Sequence, residues 1–285
     1  MRKAMQIFRN PLDLQEFIKE EKRKGKLISL VPTMGYLHEG HLSLMREAKK
    51  YGDILIVSIF VNPTQFGPNE DLDKYPRDFQ GDESKCNSVG VDIIFYPTPE
   101  NMYPENYQTY VEVQEVTKNL CGASRPTHFR GVTTVVAKLF NITLPDYAFF
   151  GEKDFQQLVV IKRMVKDLNF PVKIIGCPII REKDGLAMSS RNKYLSENER
   201  KQALSLFKAI TRVKELFNKG ERDSSNLIRE ATMIIKNEPL TQIDYIKVVD
   251  IETMKDIATI EKNALFALAV KIGNTRLIDN CKLIL

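Results

Sequence analysis

The sequence predicts an α/β protein: a Rossmann-like, doubly wound parallel sheet over residues 1–180, followed by a smaller C-terminal α+β domain over residues 181–285. Three observations carry this prediction. Short apolar runs alternate with amphipathic, helix-like segments through the first part, which is the pattern of repeated β-α units. The run Asp53-Ile54-Leu55-Ile56-Val57-Ser58-Ile59-Phe60-Val61 is almost wholly apolar, as in a strand covered on both faces. After about residue 181 two helix-like segments precede strand-like ones with no long helix between them, so antiparallel pairing is expected there.

Met1-Arg2-Lys3-Ala4-Met5 leads into a polar helix and lacks the apolar core of a signal peptide. Leu27-Ile28-Ser29-Leu30-Val31 reads as a buried strand, and Leu42, Leu44, Met45 and Ala48 then recur at helical spacing. Beyond the apolar strand at 53–61, a helix is expected over about 78–88 and a strand over 91–95. Residues 133–141 read as helix and 147–150 as strand. An amphipathic helix follows over 154–168, with Phe155, Leu158, Ile161, Val165 and Leu168 on one face, then a strand over 172–175. In the second part, 183–187 reads as a hinge, 197–219 and 224–236 as helices, and 243–249 and 265–272 as strands.

The composition narrows the function classes. With 285 residues, 43% hydrophobic and 28% charged, the chain suits a globular protein of one large or two modest domains. The net charge of +5 is mild and its charges are interspersed. That favours small anions and argues against a nucleic-acid surface, which needs a concentrated basic patch. Cys86, Cys121, Cys177 and Cys281 are far apart and lack metal-ligand spacing, as expected of reduced thiols in a cytoplasmic protein. The apolar run at 54–61 is far too short to span a bilayer, so no membrane partner is expected.

The candidate site begins at Thr33-Met34-Gly35-Tyr36-Leu37-His38-Glu39-Gly40-His41, which holds two of the three histidines in the chain. They fall where a strand turns into a helix, the edge at which α/β sheets collect ligands. Free N–H groups at the helix start and two imidazoles would suit a polyphosphate. An ordinary helix start with two partly exposed histidines explains the motif equally well in isolation. Asn62-Pro63-Thr64-Gln65-Phe66-Gly67 follows the apolar strand and offers amides for a polar substrate, or is simply a proline-containing loop. In Gly151-Glu152-Lys153-Asp154-Phe155-Gln156-Gln157, Lys153 suits a phosphate, while Asp154 and Gln157 also resemble a capping box. Met188-Ser189-Ser190-Arg191 brings hydroxyls and a guanidinium suited to a triphosphate, or is a polar linker with a serine cap. Arg125-Pro126-Thr127-His128-Phe129-Arg130-Gly131 would attract an anion or lie solvated, and Asp71, Asp73, Asp78 and Asp82 supply oxygens for Mg2+ near a nucleotide. No nucleophile elbow and no Walker A loop is present.

Together Pro32-Thr33-Met34-Gly35 with His38-Glu39-Gly40-His41, Phe60-Val61-Asn62-Pro63-Thr64-Gln65-Phe66, Tyr75-Pro76-Arg77, His128-Phe129-Arg130-Gly131, Gly151-Glu152-Lys153-Asp154 with Gln157, and Met188-Ser189-Ser190-Arg191 resemble the pantothenate synthetase (pantoate–β-alanine ligase) family. The order and spacing match over about residues 30–195, whereas the C-terminal third resembles the family mainly in length and position. This family is among the nucleotidylyltransferases related to class I aminoacyl-tRNA synthetases, and residues 38–41 and 188–191 stand where their HIGH and KMSKS signatures stand.

The resemblance implies ATP-dependent joining of (R)-pantoate to β-alanine through a pantoyl adenylate, with release of AMP and pyrophosphate, in a cytoplasmic homodimer. It implies ATP contacts from Met34, Gly35, Tyr36, Leu37, His38, Glu39, Gly40 and His41, from Gly151, Glu152, Lys153 and Asp154, from the backbone of Ile180, and from Met188, Ser189, Ser190 and Arg191. Gln65 would hold pantoate and lie near β-alanine, and Gln157 would hold pantoate, with Asn62 and His128 counted among the substrate-binding residues. His41 is the implied proton donor, and His38, Lys153 and Arg191 complete the charge-stabilising set. Mg2+ is expected on the ATP phosphates. Asp82 matches one acidic ligand position, but Gly81 and Lys85 stand where some relatives carry ligands. The C-terminal domain is expected to serve as a lid that ATP closes. The competing readings are another small-molecule adenylyltransferase and a non-catalytic nucleotide-binding protein. A tRNA synthetase fragment is more distant, since no anticodon-binding extension is evident.

Overall fold

Strands with apolar residues on both faces need helices on both faces, and the first part of the chain supplies them. The computed structural model describes residues 4–68 and 70–285, so the first three residues of the N-terminal segment read above lie outside it. The described residues fall into two compact units. One comprises the described residues up to Val113, with Arg125–Glu152 and Gln157–Pro178; the other comprises Gln114–Ser124, Lys153–Gln156 and Ile179–Leu285.

The first unit holds strands β1 (Gln6–Phe8), β2 (Ile28–Thr33), β3 (Ile54–Ile59), β4 (Ile93–Phe95), β5 (Tyr147–Gly151) and β6 (Lys173–Cys177). The chain's first seven helices are α1 (Pro11–Arg23), α2 (Glu39–Ala48), α3 (Phe79–Val89), the single turns α4 (Pro99–Met102) and α5 (Cys121–Ser124), α6 (His128–Thr143) and α7 (Phe155–Asp167). The sheet order is β1-β4-β3-β2-β5-β6, with every neighbouring pair parallel. The predicted doubly wound sheet is therefore present, with β1 as an additional edge strand that the sequence reading missed. Alternation sorts the side chains. Ile28 and Leu30, Ile56, Ile93 and Phe95, and Ala148 and Phe150 pack with Leu14 and Ile18 of α1, Val132 and Val136 of α6, and Leu158 and Ile161 of α7. Val31, Leu55 and Val57, Ile94 and Phe149 face the other way, against Leu44, Met45 and Ala48 of α2 and Cys86 of α3. Strand order reverses at β2, so the C-terminal ends of β2 and β5 flank the switch point where ligands bind in such sheets.

The second unit pairs α8 (Glu197–Asn218) and α9 (Ser224–Lys236) with an antiparallel sheet in the order β7 (Thr241–Asp250), β8 (Ala264–Ile272), β9 (Thr275–Leu283). A reciprocal capping box between Ser196 and Glu199 starts α8, and Asp223 caps α9. Leu206, Ile210 and Val213 of α8 and Leu227, Ala231 and Ile235 of α9 bury against Phe266, Leu268 and Val270 of β8. The segment 183–187, read as a hinge, is instead a closed hairpin within this unit. Arg181 bridges Ala187, the Glu182 N–H donates to Leu186 O at 2.8 Å, and Gly185 turns the chain at φ +94°. Among the described residues no helix is long and apolar enough to cross a membrane.

Candidate active site

The histidine loop is built outward from the end of β2. Thr33 Oγ1 donates to Ser58 O at 2.7 Å and accepts the Gly35 N–H at 3.2 Å. Gly35 and Tyr36 are both left-handed, at φ +82° and +49°, so the chain reverses within two residues. Asp82, in the first turn of α3, holds that reversal. Its carboxylate accepts the Tyr36 and Leu37 N–H groups, each at 2.7 Å, and the residue is 1% exposed. Burial pushes the Asp82 carboxyl up, although the two N–H groups work in the opposite direction. A Cβ on Gly35 would stand 3.0 Å from Asp82 Oδ2, and φ is left-handed there, so both the close approach and the backbone favour glycine.

His38 then caps α2 in a reciprocal box with His41: the His38 N–H donates to His41 Nδ1 at 3.2 Å, and the Gly40 N–H donates to His38 Nδ1 at 3.1 Å. A backbone N–H can only donate, so both Nδ1 atoms accept and the neutral rings carry their hydrogen on Nε2. The ring centroids are 4.1 Å apart. The N–H groups of Gly35, Tyr36, Leu37, His38 and Gly40 are donated within the loop or to Asp82.

Beyond β3, Asn62 and the 3-10 turn Pro63–Gln65 form the neighbouring wall. Asn62, expected to touch substrate, is 1% exposed and fully engaged within the protein. Its Nδ2 donates to Gly131 O and to Gln65 Oε1, each at 3.1 Å, while Oδ1 accepts the Tyr103 hydroxyl at 2.8 Å and the Thr64 hydroxyl at 2.9 Å. Gln65 Nε2 reaches Met34 Sδ at 3.0 Å, which ties this wall to the histidine loop. The Gln65 carbonyl is held by His128 Nδ1 at 2.9 Å and by Arg125 Nη2 at 3.2 Å, so His128 acts on the backbone of Gln65. Arg125 also clasps Glu70, with Nε 2.7 Å from Oε1. Burial opposes ionisation of Glu70, but the hydrogen bonds and charge of Arg125 prevail and hold its carboxyl below the ordinary range. The Gly131 glycine has a steric reason: a Cβ there would lie 2.2 Å from Thr64 O.

At the end of β5, Gly151 leads into the 3-10 turn Glu152–Asp154, and half-buried Gln157 lies in the first turn of α7. Lys153 belongs to the second unit. Its carbonyl accepts Asn280 Nδ2 at 2.9 Å, and its ammonium lies 3.7 Å from the Asp154 carboxylate. Gln156, which the sequence reading passed over, clamps the segment 114–124. Nε2 donates to Val116 O and Asn119 O at 3.0 and 2.7 Å, and Oε1 accepts the Cys121 N–H at 3.0 Å. In the same unit the Met188 N–H donates to Ile180 O at 3.0 Å, so these two expected ATP-contacting stretches are neighbours. Ser189 caps the following turn by accepting the Arg191 N–H at 3.3 Å. Asn192, also missed, anchors that turn through Ala187 O and Glu182 at 3.0 and 2.7 Å.

Of Asp71, Asp73, Asp78 and Asp82, read as oxygen donors for Mg2+, at least Asp78 and Asp82 are engaged within the protein. Both Asp82 oxygens serve backbone amides, and Asp78 caps α3 through the Gly81 N–H at 3.0 Å. Among the described residues no group of three or more histidine, cysteine, aspartate or glutamate side chains could hold a metal ion.

The family described as Pantoate-beta-alanine ligase matches residues 6–282. The chain is 57% identical over 278 residues to a pantothenate synthetase of Sulfurihydrogenibium sp. (strain YO3AOP1), covering 97% of this chain and 99% of that one. It is 56% identical over 279 residues to the pantothenate synthetase of Geobacter sulfurreducens, covering 98% and 99% respectively. The crystal structure of pantothenate synthetase from Thermus thermophilus superposes with a TM-score of 0.94 at 41% identity, over 99% of this chain and 100% of that one. A pantoate-beta-alanine ligase from Francisella tularensis, complexed with Beta-gamma ATP and Beta-alanine, superposes with a TM-score of 0.79 at 37% identity, over 98% and 97%.

Proposed function

The chain belongs to the pantoate-beta-alanine ligase family, and we propose that it forms pantothenate in two steps at the histidine loop and the Gln65 wall. In the first step the pantoate carboxylate, held by Gln65 and Gln157, attacks the α-phosphorus of ATP. A P–O bond forms, the bond to the β-phosphate breaks, and pyrophosphate leaves with the electron pair. In the second step the neutral amine of β-alanine attacks the acyl carbon of the pantoyl adenylate, AMP departs, and the nitrogen loses its proton. No covalent enzyme intermediate is needed.

One observation carries this reading: the reciprocal cap that turns both Nδ1 atoms of His38 and His41 inward as acceptors and leaves Nε2–H as the donor. Two preorganised donors suit the negative charge that grows on the transferred phosphoryl group, and His41 stabilises it by hydrogen donation whether or not the proton transfers. Lys153, Ser189, Ser190 and Arg191 are assigned to the triphosphate, with the backbone of Ile180 beside the nucleotide. The Francisella relative's complex with Beta-gamma ATP and Beta-alanine supports both molecules as ligands here. Any Mg2+ would travel with the nucleotide's own oxygens. A cytoplasmic location is supported by four free, buried cysteines, and a homodimer is the assembly that sedimentation would test.

The deciding experiment is pyrophosphate exchange into ATP without β-alanine. Exchange should require pantoate, and AMP release should then require β-alanine. His41→Ala should lower the exchange rate by about 100- to 1000-fold, the usual effect of removing one preorganised donor. Exchange that proceeds without pantoate, or is untouched in His41→Ala, would refute the reading.

A further inference from the structure

We propose that Tyr103 is a positioning residue for the acid substrate, acting through Asn62 to lock the Gln65 carboxamide with its N–H edge presented. The inference rests on the assignment of Gln65 to pantoate made above.

Backbone groups fix the polarity of the chain of bonds. The Gly131 carbonyl can only accept, so the Asn62 atom 3.1 Å from it is the amide nitrogen. The Thr64 N–H can only donate, so the Asn62 atom 3.4 Å from it is the oxygen. Two independent backbone groups thus demand the same orientation of Asn62. Its second N–H meets Gln65 at 3.1 Å, which forces the Gln65 oxygen to face Asn62 and turns the Gln65 nitrogen toward Met34 Sδ. A thioether is a weak acceptor, so a carboxylate or hydroxyl oxygen displaces it at little cost. Were the carboxamide flipped, its lone pairs would meet the acid and repel it.

Tyr103 holds the other end. Its hydroxyl lies 2.8 Å from Asn62 Oδ1 and 3.3 Å from Thr64 Oγ1, and the Thr64 hydroxyl reaches the same Asn62 oxygen at 2.9 Å. Three donors therefore converge on one amide oxygen. Burial pushes the Tyr103 phenol up to about 12, so it remains a hydrogen donor at neutral pH. The ring is set by Tyr107 at 5.1 Å between centroids, edge to face, and by the Lys138 ammonium 5.8 Å from its centroid. Tyr103 itself need not touch substrate.

Tyr103→Phe removes one hydroxyl and keeps the ring. The pantoate KM should rise about 3- to 10-fold while the ATP KM stays unchanged, and the thermal midpoint should fall by only about 2–4 °C, as loss of one buried hydrogen bond implies. Thr64→Val, which removes the second hydroxyl on the same oxygen, should shift pantoate in the same direction. Gln65→Glu, which replaces the presented N–H by a carboxylate oxygen, should weaken pantoate more than Tyr103→Phe does. Gln65→Ala separates the two levels. If it leaves the pantoate KM unchanged, the substrate assignment falls and the inference with it. If it raises that KM while Tyr103→Phe and Thr64→Val do not, the assignment stands and the positioning role is refuted. Equal shifts for pantoate and ATP in Tyr103→Phe would also refute it, since they indicate general loosening.

Discussion

Gly131→Ala sets two physical effects against each other. In an isolated helix the exchange is favourable by about 1 kcal/mol, because alanine is the better helix former. Gly131 lies in the second turn of α6, where that credit ought to apply. The structure opposes it. The new methyl would sit 2.2 Å from Thr64 O, 2.5 Å from Thr64 C and 2.6 Å from Gln65 N, all backbone atoms with no rotamer to escape into. Ordinary contact needs roughly 3.5 Å, so helix and turn must part by about 1 Å. The Asn62 Nδ2 to Gly131 O bond, now 3.1 Å, would then open beyond hydrogen-bond range. Overpacking typically costs about 1–3 kcal/mol, and a buried donor left unpaired about as much again. The net expectation is destabilisation by roughly 1–5 kcal/mol, with a raised pantoate KM because Asn62 no longer orients Gln65. Urea unfolding followed by circular dichroism, with pantoate kinetics on the same preparation, measures both. A variant as stable as the parent or more so would show that helix propensity prevails and that the close approach imposes no constraint.

Three other outcomes are expected. Asp82→Ala strips the Tyr36 and Leu37 N–H groups of their acceptor, so unfolding should become easier by about 2–4 kcal/mol and kcat should fall, with the Mg2+ concentration for half-maximal rate unchanged. A large shift in that concentration with stability intact would instead make Asp82 a metal ligand. Glu70 has a lowered carboxyl in the folded state, so its pairing with Arg125 stabilises the fold fully above the ordinary value of 4.5 and less as pH falls through the depressed one. Glu70→Gln should therefore flatten the acid loss of stability, and an unchanged acid limb would count against the pairing. Burial holds the Cys86, Cys177 and Cys281 thiols at about 12, 11 and 12, so iodoacetamide should leave all three unmodified in native protein at pH 8 while labelling unfolded chain completely. Rapid native labelling of Cys86 would contradict its placement in the core.

Features with local causes were readable from sequence. The apolar run of β3 and the spacing of Leu44, Met45 and Ala48 announce their own burial, and the core confirms them. The α6 helix reaches back to His128, beyond the expected 133–141, because its first turn packs on the Asn62 turn. Features with distant causes were hidden. Strand β1 is only three residues long and exists because β4 is beside it. Strand β9 buries Asp279 and Asn280, whose polarity breaks the alternation; Asp279 is matched by Arg181 at 2.7 and 2.9 Å. Leu168 fits the apolar face of α7 by spacing, yet it is 52% exposed at the helix end. The site divides similarly. The histidine pair and Gln65 lie in sequence-local motifs, whereas Asp82 serves amides 45 and 46 residues away, and no pattern of spacing signals that. Asn62 was read by residue type as a substrate contact, but its partners Tyr103 and Gly131 are visible only once the chain is folded.

The second unit borrows two stretches from the middle of the chain, 114–124 and 153–156, and sews them in with late residues. Asn119 donates to Met254 O at 3.0 Å and to Asp256 at 2.8 Å, Ser124 donates to Asp244 at 2.8 Å, and Asn280 fastens Lys153 at 2.9 Å. During synthesis these stretches leave the ribosome long before their partners exist, since those partners lie 120 to 137 residues later in the chain. Lys153 thus gains its backbone anchor only after residue 280 has been made. A fragment beginning at residue 179 would never recover the borrowed pieces. The unit is assembled from the chain as a whole, and ligase activity should appear only after the last strand has been made.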